Sequence, residues 1–149
     1  MSELSRRAIY EKIYPTIYSI VVVGFYLYFH RDLRLNFESL IENSISIFGI
    51  LIGFFITVLT IINSLDNQYI RVMRENGSFV LLQNYLKNAI WFSFCAVFIG
   101  LIHGFILEPL NLMCYLVFRA FVLFVICHST LSSYRFIKSF LGIILYTRN

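Results

Sequence analysis

The residues of this chain best suited to chemistry in an apolar setting are three histidines, three cysteines and one arginine. His30, His103 and His128 are scattered over different segments, and no carboxylate stands near them at metal-ligand spacing. Cys95, Cys114 and Cys127 all fall inside apolar stretches, are odd in number and form no C-x-x-C pair. Each reads as a small buried hydrophobe. There is no phosphate loop, no nucleophile elbow and no evident internal repeat. The long apolar stretches contain no Asp or Glu, yet a proton-coupled transporter or an intramembrane protease normally needs one to carry protons or activate water. The expectation is a protein that is not an enzyme and binds neither cofactor nor metal.

What the pattern offers instead is helix packing and one charge. Ser46, Gly49, Gly53, Thr57, Thr60 and Ser64 interrupt an otherwise oily segment at spacings of three and four, which places them on one helical face. Ala89, Ser93, Ala96, Gly100 and Gly104 repeat the pattern further on, and both "GILIG" and "GLIHG" are G-x-x-x-G. Lipid tails are as apolar as Leu, so membrane helices associate by close packing, which small residues permit. Two readings follow: both faces hold the protomer together, or one of them meets another copy and its hydroxyls wet a narrow path along an oligomer axis. Arg119 lies within an apolar segment about ten residues past the turn "EPLN", roughly 14 Å deep at 1.5 Å per residue. A guanidinium there costs at least about 2.5 to 3.5 kcal/mol unless partnered or hydrated. His103, Glu108 or the hydroxyls of the first stripe are its candidate partners. A structural tie and a charge lining a hydrated path are both open.

The elements that must position these residues follow from composition. The chain has 149 residues, 59% hydrophobic and 13% charged, with a mean hydropathy of +0.78. Soluble domains carry about 25% charged residues, so the expected solvent is lipid. About 20 apolar residues in a helix cross the hydrocarbon core, and four stretches qualify: about 13–29, 45–65, 89–107 and 112–130. Each is expected to be α-helical, because lipid cannot satisfy a free backbone group. The fold class is an all-α integral membrane protein made of a single four-helix transmembrane domain. The first stretch has no small-residue cleavage site after it and is expected to stay as a crossing.

Orientation follows from the basic residues. With both termini cytoplasmic, nine lysines and arginines lie inside and only Arg31 and Arg34 outside, a positive-inside pattern. No single loop concentrates the net charge of +4, so direct nucleic-acid binding is not expected. Residues 66–88 form the one sizeable loop, expected inside as the second and third helices meeting in a hairpin. Gly77 would close one helix and Ser78 cap the next. Arg71, Arg74, Phe79, Leu82 and Leu86 are its candidate partner-facing residues, although an apolar edge of this kind also suits the membrane surface or a neighbouring helix. Residues 131–149, with Arg135 and Lys138 among large apolar side chains, read as an amphipathic tail at the inner interface.

The segment "GILIGFFITVLTIINS", the polar run containing "RVMRENG" and the hydrophobic helix after it resemble the middle of RexB, the small four-span inner-membrane protein of the lambda phage exclusion system. The resemblance covers mainly residues 45–107. By length and layout the chain is equally similar to KwaA, the membrane subunit of the Kiwa anti-phage system. Both resemblances imply a bacterial inner-membrane component of phage defence with a cytosolic partner encoded nearby. The first implies action by membrane depolarisation, and the second implies pairing with a soluble DNA-binding subunit. No site residue carries over one for one. The expected function is an oligomeric effector that permeabilises the membrane when its partner triggers it. The alternative is a non-conducting sensor or scaffold that recruits or regulates that partner.

Overall fold

Among the described residues there are five helices: α1 (Glu3–Phe29), α2 (Phe37–Ser64), α3 (Gln68–Glu75), α4 (Ser78–Phe105) and α5 (Leu112–Tyr146). The structure, a computed structural model, describes the backbone of residues 3–29, 36–64, 68–75, 77–105 and 112–146, and the side chains of residues 10, 13–29, 36–64, 70–75, 77–103 and 113–142. His30, Arg31, Arg34, Asn76, Glu108 and the two termini lie outside the described residues, as do the surroundings of Gly104. No strand occurs among the described residues.

Among the described residues three helices are long and apolar enough to cross a membrane: Phe37–Ser64, Ser78–His103 and Met113–Gly142. The apolar part of α1, Ile13–Phe29, is shorter. Large apolar side chains cover the outside, among them Ile50 at 74% exposure and Phe98 at 64%. A water-soluble monomer rarely tolerates so much contiguous apolar surface. At about 1.5 Å per residue, the 35 residues of α5 extend about 52 Å, well beyond a hydrocarbon core of about 30 Å.

α2, α4 and α5 form the core, and α1 packs on α5. The α2–α4 and α4–α5 pairs are antiparallel. Residues early in α2 (Ile41, Ile45) meet Gly100 late in α4, while Asn63 late in α2 meets Gln83 early in α4. Ser93 pairs with Ser129, and His103 stacks on Phe118. The largest cluster gathers Phe55, Val58 and Ile62 of α2, Ile70 of α3, Phe79 to Ala89 of α4 and Phe136 of α5. The Phe55 and Phe136 rings, both fully buried, meet edge-on at 5.3 Å, a favoured aromatic geometry.

The region after α2 carries a separate short helix, α3, packed on α4. Gly77 joins them with φ of +70°, a left-handed conformation that glycine adopts without a Cβ penalty. Its N–H donates to the Arg74 carbonyl, and its own carbonyl accepts from the Leu81 N–H. Gly77 therefore both ends α3 and sits at the capping position of α4, and Ser78 is the first residue of that helix. Residues 131–146 do not form a separate tail but continue α5 without a break. Within the stretch Ser132, Ser133, Arg135 and Phe136 are buried, whereas Tyr134, Lys138 and Leu141 are exposed.

Candidate functional site

The two small-residue faces have opposite fates. On α4, Ala89, Ser93, Ala96 and Gly100 are all buried. A Cβ built on Gly100 would fall 2.8 Å from Ile45 Cγ1 and 3.3 Å from Ile41 Cγ2, so any side chain there would have to displace Ile45 or Ile41 of α2. On α2, Ser46, Gly49, Gly53, Thr57, Thr60 and Ser64 are all exposed. A Cβ on Gly49 or Gly53 would meet nothing within 4 Å. The core-facing residues of α2 are instead Phe37, Ile41, Ser44, Phe48, Phe55, Val58 and Ile62. At 100° per residue the small row lies across the helix axis from them.

The hydroxyls of the exposed row are occupied by their own helix. Ser46 donates to the Glu42 carbonyl at 3.1 Å, Thr57 to Gly53 at 2.9 Å, Thr60 to Ile56 at 3.0 Å and Ser64 to Ile61 at 2.9 Å. Such back-bonding satisfies the proton without a partner helix. Each oxygen keeps acceptor capacity toward the outside.

Arg119 is held by aromatic rings. Its guanidinium donates to the Tyr115 hydroxyl one turn earlier and lies 4.1 Å from the Tyr115 ring centroid and 4.9 Å from that of Phe37. The His103 ring is flanked by Phe37 at 6.0 Å and Phe118 at 5.8 Å. The cluster lies toward one end of the bundle. Phe37 is the first residue of α2, His103 is near the end of α4, and Arg119 is seven residues into α5. Arg119 thus sits near one end of the bundle, about 10 Å along α5 from its start. Thr57 lies 20 residues beyond Phe37, about 30 Å farther along α2. The second-helix hydroxyls are therefore not partners of Arg119, and charge and hydroxyl row do not line one passage within a protomer. The partners are Tyr115 and Phe37; Glu108 lies outside the described residues.

The hairpin residues divide. Phe79, Leu82 and Leu86 are buried among α2, α3 and α5. A partner-facing role for these three is corrected: their apolar edge is consumed by the protomer's own core. Arg71 and Arg74 remain exposed, Arg71 near Glu75 at 3.8 Å and Arg74 over the Phe79 ring at 5.0 Å.

Spacing arguments missed a buried polar seam along α5. His128, Ser129, Ser132, Ser133 and Arg135 are all buried, and Ser93 of α4 and Ser19 of α1 lie in the same interior. Ser93 and Ser129 hydroxyls are 3.3 Å apart, and Ser19 donates to the Pro15 carbonyl at 2.7 Å. The Arg135 guanidinium lies over the Tyr85 ring at 4.3 Å. The run "HSTLSSYR" carries the signal as polar residues three and four apart. Among the described residues no group of three His, Cys, Asp or Glu side chains could hold a metal ion.

No known family model matches the chain, and no curated protein or solved structure is significantly similar to it.

Proposed function

We propose that this chain is a bacterial inner-membrane protein with four crossings and both termini cytoplasmic, and that it assembles as a homo-oligomer through the outward face of α2. The assembly acts as the membrane effector of an anti-phage defence system, depolarising the membrane when a cytosolic partner encoded nearby triggers it. The observation that carries this reading is the exposed row from Ser46 to Ser64. A helix face turned to lipid has no use for glycines, whereas a face turned to another helix does. The fold already uses the α4 row for its own packing, so the α2 row is free to pack between copies.

Supporting the fourth crossing, α1 packs on α5 and its apolar stretch has 17 residues, within the range of about 17–25 that spans a core. Ile17, Ile20, Val21 and Phe25 of α1 are exposed and would otherwise face water. The defence role and the trigger rest on the resemblance of residues 45–107 to RexB and on the layout shared with KwaA. Membrane-potential dye readings in cells co-expressing the neighbouring gene test the effector role: triggering collapses the potential with the wild type and does so less with Thr57→Val/Thr60→Val. A wild type that never depolarises the cell rules the effector reading out.

One observation favours a second reading. Every hydroxyl in the exposed row donates to its own helix, so the row can pack dry between copies. The oligomer is then a non-conducting scaffold that recruits its partner, and Arg71 and Arg74 are the exposed hairpin cations nearest to hand for that contact.

A further inference from the structure

Along α5, Ser132 Oγ, Ser133 Oγ and His128 Nδ1 are buried with no hydrogen-bond partner among the described residues. The three side chains are 1%, 3% and 8% exposed, so bulk solvent does not serve them. Hydroxyls elsewhere in the chain are satisfied locally. Ser44, Ser46, Thr57, Thr60 and Thr130 each donate to the carbonyl four residues back in their own helix. Ser93 of α4 and Ser129 of α5 pair with each other at 3.3 Å. Ser132 and Ser133 do neither, although an unmade bond costs a buried group its full desolvation. His128 stands among the rings of Phe92 of α4 at 4.1 Å and Phe124 at 5.7 Å. It reaches the Pro15 carbonyl of α1, and its Nδ1 is still without a partner.

We infer that the interior beside α5 binds ordered water, one molecule bridging His128 Nδ1 to Ser132 Oγ and another bridging Ser133 Oγ to the Ser93–Ser129 pair. The spacing supports both bridges. His128 and Ser132, like Ser129 and Ser133, are four residues apart on α5, which sets their Cβ atoms about 5–6 Å from each other. Two hydrogen bonds of about 2.8 Å through a single water close such a gap. A buried water makes about three hydrogen bonds, and Ser133, Ser93 and Ser129 together offer that number. The chemistry selects water over an ion. A hydroxyl both donates and accepts, and a neutral imidazole nitrogen does one or the other according to its tautomer, so water answers every group present. An ion in this apolar interior needs a compensating charge, which hydroxyls and a neutral imidazole do not supply. Arg135, on the same stretch, is engaged over the Tyr85 ring. The site depends only on the packing around α5 and stands whether or not the assembly conducts.

Water-edited solid-state NMR of the full chain in lipid bilayers tests this, with histidine, serine and phenylalanine labelled. It times the transfer of magnetisation from water protons to each side chain. The His128 ring and the Cβ atoms of Ser132 and Ser133 are expected to gain signal several-fold faster than the rings of Phe55 and Phe136, which are fully buried in apolar packing. Ser132→Ala slows the gain at His128 toward the phenylalanine rate and leaves Ser133 fast, because only the first bridge is removed. Thr130→Ala, at an exposed position of the same helix, leaves all three rates unchanged. A wild type in which His128, Ser132 and Ser133 gain signal as slowly as Phe55 overturns the site before any variant is needed. An unchanged rate at His128 in Ser132→Ala overturns the first bridge, provided the Phe55–Phe136 cross peak shows that the variant has kept its fold.

Discussion

Gly100 of α4 and Ile45 of α2 meet so closely that the glycine's missing Cβ would lie 2.8 Å from Ile45 Cγ1. Gly53, of the same residue type and in the same G-x-x-x-G context, faces nothing within 4 Å. One glycine therefore belongs to the protomer's interior and the other to its outside. Gly100→Leu is expected to destabilise the protomer by at least about 1–3 kcal/mol, because extra carbons must push Ile45 and Ile41 aside. Gly53→Leu is expected to leave protomer stability unchanged within about 0.5 kcal/mol. Thermal unfolding in detergent, followed for both variants under conditions that keep the protein monomeric, checks the contrast.

For Arg119 the geometry points to a structural tie. Its guanidinium is sandwiched against Tyr115 and Phe37 near one end of the bundle, far along the helices from Thr57 and Thr60. Arg119→Leu is expected to lower stability by about 0.5–2 kcal/mol, the range of a partly desolvated cation–π contact. Any partner-triggered leak should keep its ion selectivity. A changed selectivity with unaltered stability would mean that the charge lines the passage after all.

The Ser93–Ser129 contact ties α4 to α5 inside the apolar core. Interhelical hydrogen bonds in membranes average about 0.6 kcal/mol, so Ser93→Ala and Ser129→Ala should each cost about that much. The double variant should cost little more than either single one, since both changes remove the same bond. Fully additive losses in a double-mutant cycle would show that the two hydroxyls act separately.

Topology is checked by labelling. After replacement of the native cysteines, a cysteine at Asn111 should react with a membrane-impermeant thiol reagent in intact cells, and one at Asn76 should be shielded. The opposite pattern would invert the nine-to-two positive-inside orientation.

The long apolar helices were legible because their hydropathy persists for the length a bilayer requires. Gly77 was legible because "ENGS" is a turn signal wherever it falls. The two small-residue rows were legible as faces, but helical spacing fixes which residues share a face and not which neighbour that face meets. Hence nothing local distinguishes Gly100 from Gly53. Which rings stand against Arg119 is a tertiary fact that spacing along the chain does not fix. Phe79, Leu82 and Leu86 formed a recognisable stripe, yet only the placement of α3 and Phe136 around them shows that the stripe is covered. The polar seam from His128 to Arg135 was hidden for a related reason. Serines near the end of a long helix look like surface residues until that helix is known to continue through the core.

The central claim is that the α2 row is where copies meet, and disulfide trapping in native membranes tests it most directly. With the natural cysteines replaced, Gly53→Cys and Thr57→Cys, both on the row, are compared with Phe98→Cys on the exposed side of α4. Mild oxidation should link Gly53→Cys and Thr57→Cys chains into dimers at high yield and leave Phe98→Cys monomeric. Equal or absent cross-linking at all three positions would contradict the account, because the α2 row would then face lipid like the rest of the outer surface.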